Sequence, residues 1–344
     1  MTSNPHIVLP EHDRLGVLSA TAPVVRAARL VRIVPAAVEA LADRWAERPW
    51  PEQAGLDALH FSDGTPRTAN WVLLLDALNF CFWGEPGQPR WQVEWHGQTL
   101  DGYAALAAAL TRATEEGRPL WDAAYLANIQ EAELREILRP VPGSPEIPLS
   151  AERLAHAREV GRVLNAQYGG QFTNAVAAAG SVRRGVRWTP APELALLLAR
   201  DFPSFHDVAH WQGREVPFLK RAQICVADLH AAFRGHEWGA LASLDELTAF
   251  ADYKLPQLLR RAGVLVYAEP LARRVAAYAP IAPGSEEEIE IRAATIWAVE
   301  LLRRALALRG IERPASAIDY RLWEESQTKL PGELPYHRTR TIYY

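Results

Sequence analysis

Cysteine, methionine and lysine are scarce in this chain. Its two cysteines, Cys81 and Cys225, cannot supply a disulfide framework, a four-cysteine zinc site or an iron–sulfur cluster. No apolar run reaches the ~18 residues that a membrane span requires. The opening residues MTSNPHIVLPEHDR carry neither a basic nor an apolar leader, so a cytoplasmic protein with no membrane partner is expected. An excess of positive charge is also missing. The formal net charge of −4 disfavours a long nucleic acid as partner but leaves a small anion open. The phosphate-cradling patterns GxxxxGK[ST] and GxGxxG and the nucleophile elbow GxSxG do not occur. His206 and His210 stand four apart in HDVAH, without the glutamate of HExxH or an identifiable third ligand, so no metal and no other cofactor is expected. Of 37 basic residues only Lys220, Lys254 and Lys329 are lysine.

What is present reads as a helical protein with a sizeable core. Hydrophobic residues make up 49% and charged residues 23%, the balance of a globular chain. Apolar residues recur at helical spacing over 24–47, with Pro35 ending one helix and starting the next. Residues 71–83 are too apolar for a surface helix and should run through the core, with Asp76 and Asn79 as their polar side chains. WQVEW at 91–95 alternates and meets His96-Gly97, the pattern of a small β-hairpin that closes near Tyr103. Further helices are expected over 103–116, 151–168, 221–234 and from Pro256 to Arg261, where Gly263 supplies the stop. Ser285 with Glu288 forms a capping box that opens a helix of about 24 residues ending at Gly310. The expected architecture is all-α with one small β-hairpin: an N-terminal extension over 1–20, then a single domain over 21–344. The prolines between 140 and 150 are the best candidate for an internal boundary.

Two of the three lysines fall in 216–256, where chemistry is most concentrated. Asp252 lies in FADYKLP, just ahead of a helix whose free N–H groups and dipole point back at it. One reading makes Asp252 a helix cap and Lys220 a surface charge. The other makes Asp252 a fixed anion facing a positive charge that develops in a transition state. Asp76 poses the same choice, since a buried carboxylate needs either a structural hydrogen bond or a ligand. Cys225, on an apolar helix, reads as core.

The runs DALNFCFW (76–83), FPSFHDVAHWQGREVPFLKRAQICVADL (202–229), FADYKLPQLLRRAG (250–263), EIEIRAATIWAVELL (288–302), DYRLWEES (319–326) and YHRTRTIYY (336–344) closely resemble the queuosine salvage protein family, the queuosine 5′-phosphate N-glycosylase/hydrolases. The match covers nearly all of the chain from about residue 20. It implies release of the base queuine, a 7-deazaguanine with a cyclopentenediol arm, from queuosine 5′-monophosphate for reuse in tRNA modification. It also implies an all-helical fold related to helix-hairpin-helix DNA glycosylases, in which a lysine precedes a catalytic aspartate at a helix start. Lys220 and Asp252 hold that order, although EVPFLKR stands where the DNA-gripping glycines would be. On this resemblance Asp252 stabilises the sugar cation, and could also orient a water or bond transiently to C1′. Lys220 would hold Asp252, contact the ribose or phosphate, or protonate the leaving base. Asp76 and Asn79 would meet the base or its cationic arm. Phe80, Phe205, Tyr253 and Trp323 are candidates to stack on the base. Arg221, His337, Arg338 and Arg340 are candidates for the 5′-phosphate, or pins for the C-terminus. Asp207 and Asp319 would position hydroxyls. The expected partner is this small nucleotide, or the nucleoside queuosine, handled by a monomer without long nucleic acid. A DNA or RNA glycosylase and a non-catalytic queuine carrier are the rivals.

Overall fold

The computed structural model describes residues 7–50, 59–183, 186–328 and 332–344; Lys329 lies outside them. Among the described residues fourteen α-helices dominate, and nine short strands pair into sheets of two or three. None of these helices is long and apolar enough to cross a membrane. The chain divides into two compact units, each built from three separate stretches.

The first unit comprises Met1–Glu52, Asp207–Gln223 and Ser243–Thr341. Its spine is the helix Glu286–Ala307, which buries Ile289, Ile291, Ala293, Ala294, Ile296, Trp297, Ala298 and Val299, so that nearly its whole circumference is covered. Helices Val17–Ala27, Pro35–Ala46, Lys254–Arg261 and Ala315–Gln327 pack around it. The start of the spine is capped as expected, with one difference. Ser285 Oγ accepts from the Glu288 N–H, but the Glu288 carboxylate reaches back to Gly284 rather than to Ser285, whose own N–H donates to the Ala282 carbonyl. The helix ends at Ala307, and Gly310 follows at φ +77°, a conformation open to glycine.

The expected helix over 24–47 is not continuous up to Pro35. Between helices Val17–Ala27 and Pro35–Ala46 the chain forms the strand Val31–Ile33, antiparallel to Leu265–Tyr267, with Val31 opposite Tyr267 and Ile33 opposite Leu265. The cause is Glu290, a buried carboxylate on the spine that accepts from the N–H groups of Arg29, Leu30 and Val31 at 3.1, 2.7 and 3.0 Å. Those donors are therefore lost to any helical ladder. Burial holds the acid above its ordinary pKa against the pull of the three donors. Glu290→Gln turns an amide N–H₂ towards these donors, and should cost about 2 kcal/mol of unfolding free energy, read from urea melts, without altering the helix content.

Two further antiparallel pairs depart from the single hairpin expected, the first being Ser181–Arg183 with Val186–Pro190. Val208–Trp211 pairs with Arg214–Pro217 through Gln212 and Gly213, both at positive φ (48° and 76°), the twist a two-residue turn needs.

The second unit comprises Gln53–His206, Ile224–Ala242 and Ile342–Tyr344, and the prolines at 140–148 fall inside it. Its expected hairpin is present as Gln92–Trp95 with Gln98–Asp101. Helix Pro66–Ala77 is buried over ten of its twelve residues, Asp76 among them, but stops at Ala77 instead of running on to Trp83. Buried Arg153 explains the stop: its guanidinium donates to the carbonyls of Leu78, Phe80 and Cys81, oxygens that a continuing helix would use internally.

Candidate active site

The first unit gathers the chemistry-bearing groups around two loops. The Arg214–Pro217 strand delivers Phe218, Leu219 and Lys220, and the N–H groups of all three converge on one residue. Phe218 and Leu219 donate to the Asp207 carbonyl at 2.9 and 3.1 Å, and Lys220 donates to Asp207 Oδ2 at 3.0 Å. Leu219 sits at φ +53°, a left-handed conformation costly for a branched side chain. This starts the helix Lys220–Ala232, whose first turn lies in the first unit. Lys220 is buried at 6% exposure. Asp207 is held in turn by Arg292 of the spine through two bonds of 2.9 and 2.6 Å.

The second loop runs from Thr248 to Tyr253. Gln223 ties it to the Lys220 turn: its amide nitrogen donates to the Phe218 carbonyl at 3.0 Å, and its oxygen accepts from the Thr248 N–H at 2.8 Å. Asp252 follows, half-buried. Its Oδ1 accepts from the N–H groups of Lys254 and Leu255 at 2.7 and 2.9 Å, which starts the helix Lys254–Arg261 two residues earlier than Pro256 alone implied. Pro256 then occupies the first turn, where its missing N–H costs nothing. The capping reading is thus true of one oxygen. Oδ2 accepts no hydrogen bond from the described residues.

A second carboxylate stands by. Asp319, 6% exposed on helix Ala315–Gln327, accepts the Phe250 N–H at 2.7 Å through Oδ2. Burial pushes the Asp319 pKa well above its ordinary value and the nearby Asp252 charge adds to this, while the Phe250 N–H and the Lys220 ammonium oppose it. Asp252 is raised as well, by burial, against the pull of Lys220 and of its two backbone donors. Lys254 adds to the pull on Asp252 but not on Asp319, so of the two acids Asp319 is the better placed to keep its proton.

The remaining expected residues are distributed unevenly. Tyr253 lies against Tyr336, with ring centroids 4.9 Å apart, and Trp323 lies 6.0 Å from Tyr320 one turn beyond Asp319. His337 is buried at 1% and its pKa falls to about 3, chiefly through burial and then through Arg292 and Arg260. It is therefore neutral at working pH and could meet a phosphate only as a hydrogen-bond partner, not as a charge. Arg221 is buried at 1%; Arg338 has its carbonyl taken by the Ile281 N–H at 2.8 Å and its guanidinium 5.0 Å from the Tyr278 ring; Arg340 is exposed. Because only the unfolded chain protonates residue 337 below pH 6.5, stability falls as the pH drops. Against His337→Gln, the wild type should lose about 2 kcal/mol more between pH 6.5 and about 4.5, read from denaturant melts at each pH.

Asp76, Asn79, Phe80 and Phe205 belong to the second unit. Asp76 is fully buried with Asn79 Nδ2 at 3.3 Å; burial, and then the charges of Asp228 and Asp76, push the Tyr103 phenol well above its ordinary pKa. Tyr103 itself meets His60 at 2.9 Å and donates to Asp228 at 3.2 Å. Phe80 and Phe205 are fully buried and packed, Phe80 under Arg153 at 4.2 Å and Phe205 edge-on to Phe202. Sequence reasoning missed Arg292, Gln223 and Tyr336. A signal for the first existed in EIEIRAATIW, where a charge sits on a helix too apolar to face water.

A helical unit that sets two carboxylates of unequal acidity beside an ammonium is equipped for acid–base hydrolysis through a cationic transition state. The comparisons agree with that class. A family model described as queuosine salvage protein matches residues 59–344. A relative from Sphaerobacter thermophilus is 50% identical over 332 residues, 96% of this chain and 98% of its own. One from Mus musculus is 35% identical over 331 residues, covering 93% and 92%, and one from Schizosaccharomyces pombe 33% over 306 residues, covering 83% and 86%. All three are named queuosine 5′-phosphate N-glycosylase/hydrolase. The chain belongs to the queuosine salvage protein family.

Proposed function

We infer that this chain is a hydrolase that cleaves the N-glycosidic bond of queuosine 5′-phosphate, adding water to give queuine and ribose 5-phosphate. Free queuine then becomes available again for tRNA modification. The observation that carries the reading is the Asp252 carboxylate, fixed through Oδ1 by two backbone N–H groups with Oδ2 left over. As the bond breaks, positive charge grows on C1′ and O4′ of the ribose and electrons move to the base. Queuine has a carbon where guanine has N7, so the leaving group cannot be relieved by a proton there. More of the barrier must then be lowered on the sugar side. A preorganised carboxylate in a site shielded from water does this, at roughly 10²–10³ in rate for one well-placed group. Lys220 keeps Asp252 ionised in spite of its burial, and Asp319, holding its proton, donates a hydrogen bond to a ribose hydroxyl.

A polynucleotide substrate is disfavoured by this reading. The three successive N–H groups at 218–220, which could cradle a backbone phosphate, are already spent on Asp207. The net charge of −4 gives no general attraction to a polyanion. Kinship with helix-hairpin-helix glycosylases rests on the order of Lys220 at one helix start and Asp252 ahead of the next. A single chain working in the cytoplasm on a small nucleotide completes the proposal. Incubating the protein with queuosine 5′-phosphate should give free queuine by chromatography. Tight binding with no product would make it a carrier, and release only from a modified polynucleotide would make it a tRNA or DNA glycosylase.

A further inference from the structure

Arg292 does work that the mechanism above has not used. It lies on the spine helix at 2% exposure, with its guanidinium 3.9 Å from the centre of the Phe218 ring. One side of the fork grips both oxygens of Asp207, at 2.9 and 2.6 Å, and Nη1 also approaches Glu288 at 3.4 Å. The other side, Nε, donates to the carbonyl of Ala251 at 3.3 Å, the residue immediately before Asp252. We propose that Arg292 is a positioning residue for this reaction, a strut that fixes Asp252 and Lys220 relative to one another while touching no reacting atom. The proposal rests on the function inferred above.

Three features support it. Among the described residues the N–H groups of Phe218, Leu219 and Lys220 all donate to Asp207, so holding Asp207 holds the start of the Lys220 helix. Leu219 is kept at φ +53°, and a strained residue persists only where its surroundings over-determine it, which is characteristic of functional sites. A fully buried charge cluster is also a poor source of stability, because desolvation offsets the attraction between the ions, so fold stability alone is a weak reason for this one. Arginine suits the task where lysine does not: a planar fork can engage a carboxylate with two nitrogens and a carbonyl with a third. Reacting groups misplaced by even 1 Å lose rate steeply.

The test compares Arg292→Lys in two backgrounds, with kcat and KM measured on queuosine 5′-phosphate. In the otherwise wild-type chain kcat should fall about 10- to 100-fold with KM within threefold. In the Asp252→Asn background, where the group to be positioned has already lost its charge, the further fall should stay below threefold. Equal losses in both backgrounds, or a rise in KM at constant kcat, would overturn the proposal. Asp207→Asn guards against misfolding of the arginine variant, since it cuts one arm and leaves the Ala251 bond. With carbon-13 in the lysine Cε, the Lys220 resonance should move in Asp207→Asn while that of Lys254, which follows the intact arm, stays in place. An unmoved Lys220 resonance sinks the proposal with no substrate involved, whereas a wild-type chain unable to cleave queuosine 5′-phosphate counts against the inferred function alone.

Discussion

Asp252→Asn should lower kcat on queuosine 5′-phosphate by about 10²–10³ while leaving nucleotide affinity within a few-fold. The substitution keeps almost the same volume, and the asparagine oxygen can still accept from the Lys254 and Leu255 N–H groups, so the helix Lys254–Arg261 stays capped. What disappears is the negative charge that faces the sugar. Stability should move the other way. The pKa of Asp252 is raised in the folded chain, so its ionised form is a cost to folding at neutral pH. A neutral amide removes that cost, and the variant should melt at or above the wild-type temperature, as is usual where activity needs a destabilised group. Near-normal turnover would remove Asp252 from the reaction.

Lys220→Met should lower kcat by about 10²-fold and shift the acid limb of the pH–rate profile upward. The sign follows from the site. The ammonium pulls the Asp252 pKa down against the push of burial, so without it the carboxylate takes up its proton at a higher pH. A larger share of the enzyme is then inactive on the acid side of neutrality. Asp319 loses the same counter-charge and is held still more firmly in its protonated form. Methionine keeps the apolar stem of this buried residue, so melting should change little. An acid limb that stays in place would mean that Lys220 does not act on Asp252.

Much of this site was legible in the sequence because its signals are local. Asp252 ahead of a proline-led helix and Ser285 with Glu288 all lie within a few residues of what they affect, and these two helices start within two residues of expectation. The strand Val31–Ile33 was not legible. Its partner Leu265–Tyr267 and its organiser Glu290 are remote in the chain, and VRIV carries helical and strand patterns equally well. The stop at Ala77 was hidden for the same reason, since Arg153 imposes it from another helix. Motifs pointed to Asp207 as a contact for hydroxyls, whereas its oxygens are engaged by Arg292 and the Lys220 N–H. A role that consists of holding another residue leaves no mark in local sequence.

The inferred catalysis requires Oδ2 of Asp252 to meet the ribose carbon on which cationic charge develops. A crystal structure of Asp252→Asn with intact queuosine 5′-phosphate measures this directly. The residue 252 side chain should lie within about 3–4 Å of C1′, on the face away from the base. A side chain lying beyond van der Waals contact with C1′, or turned to the base alone, would contradict it.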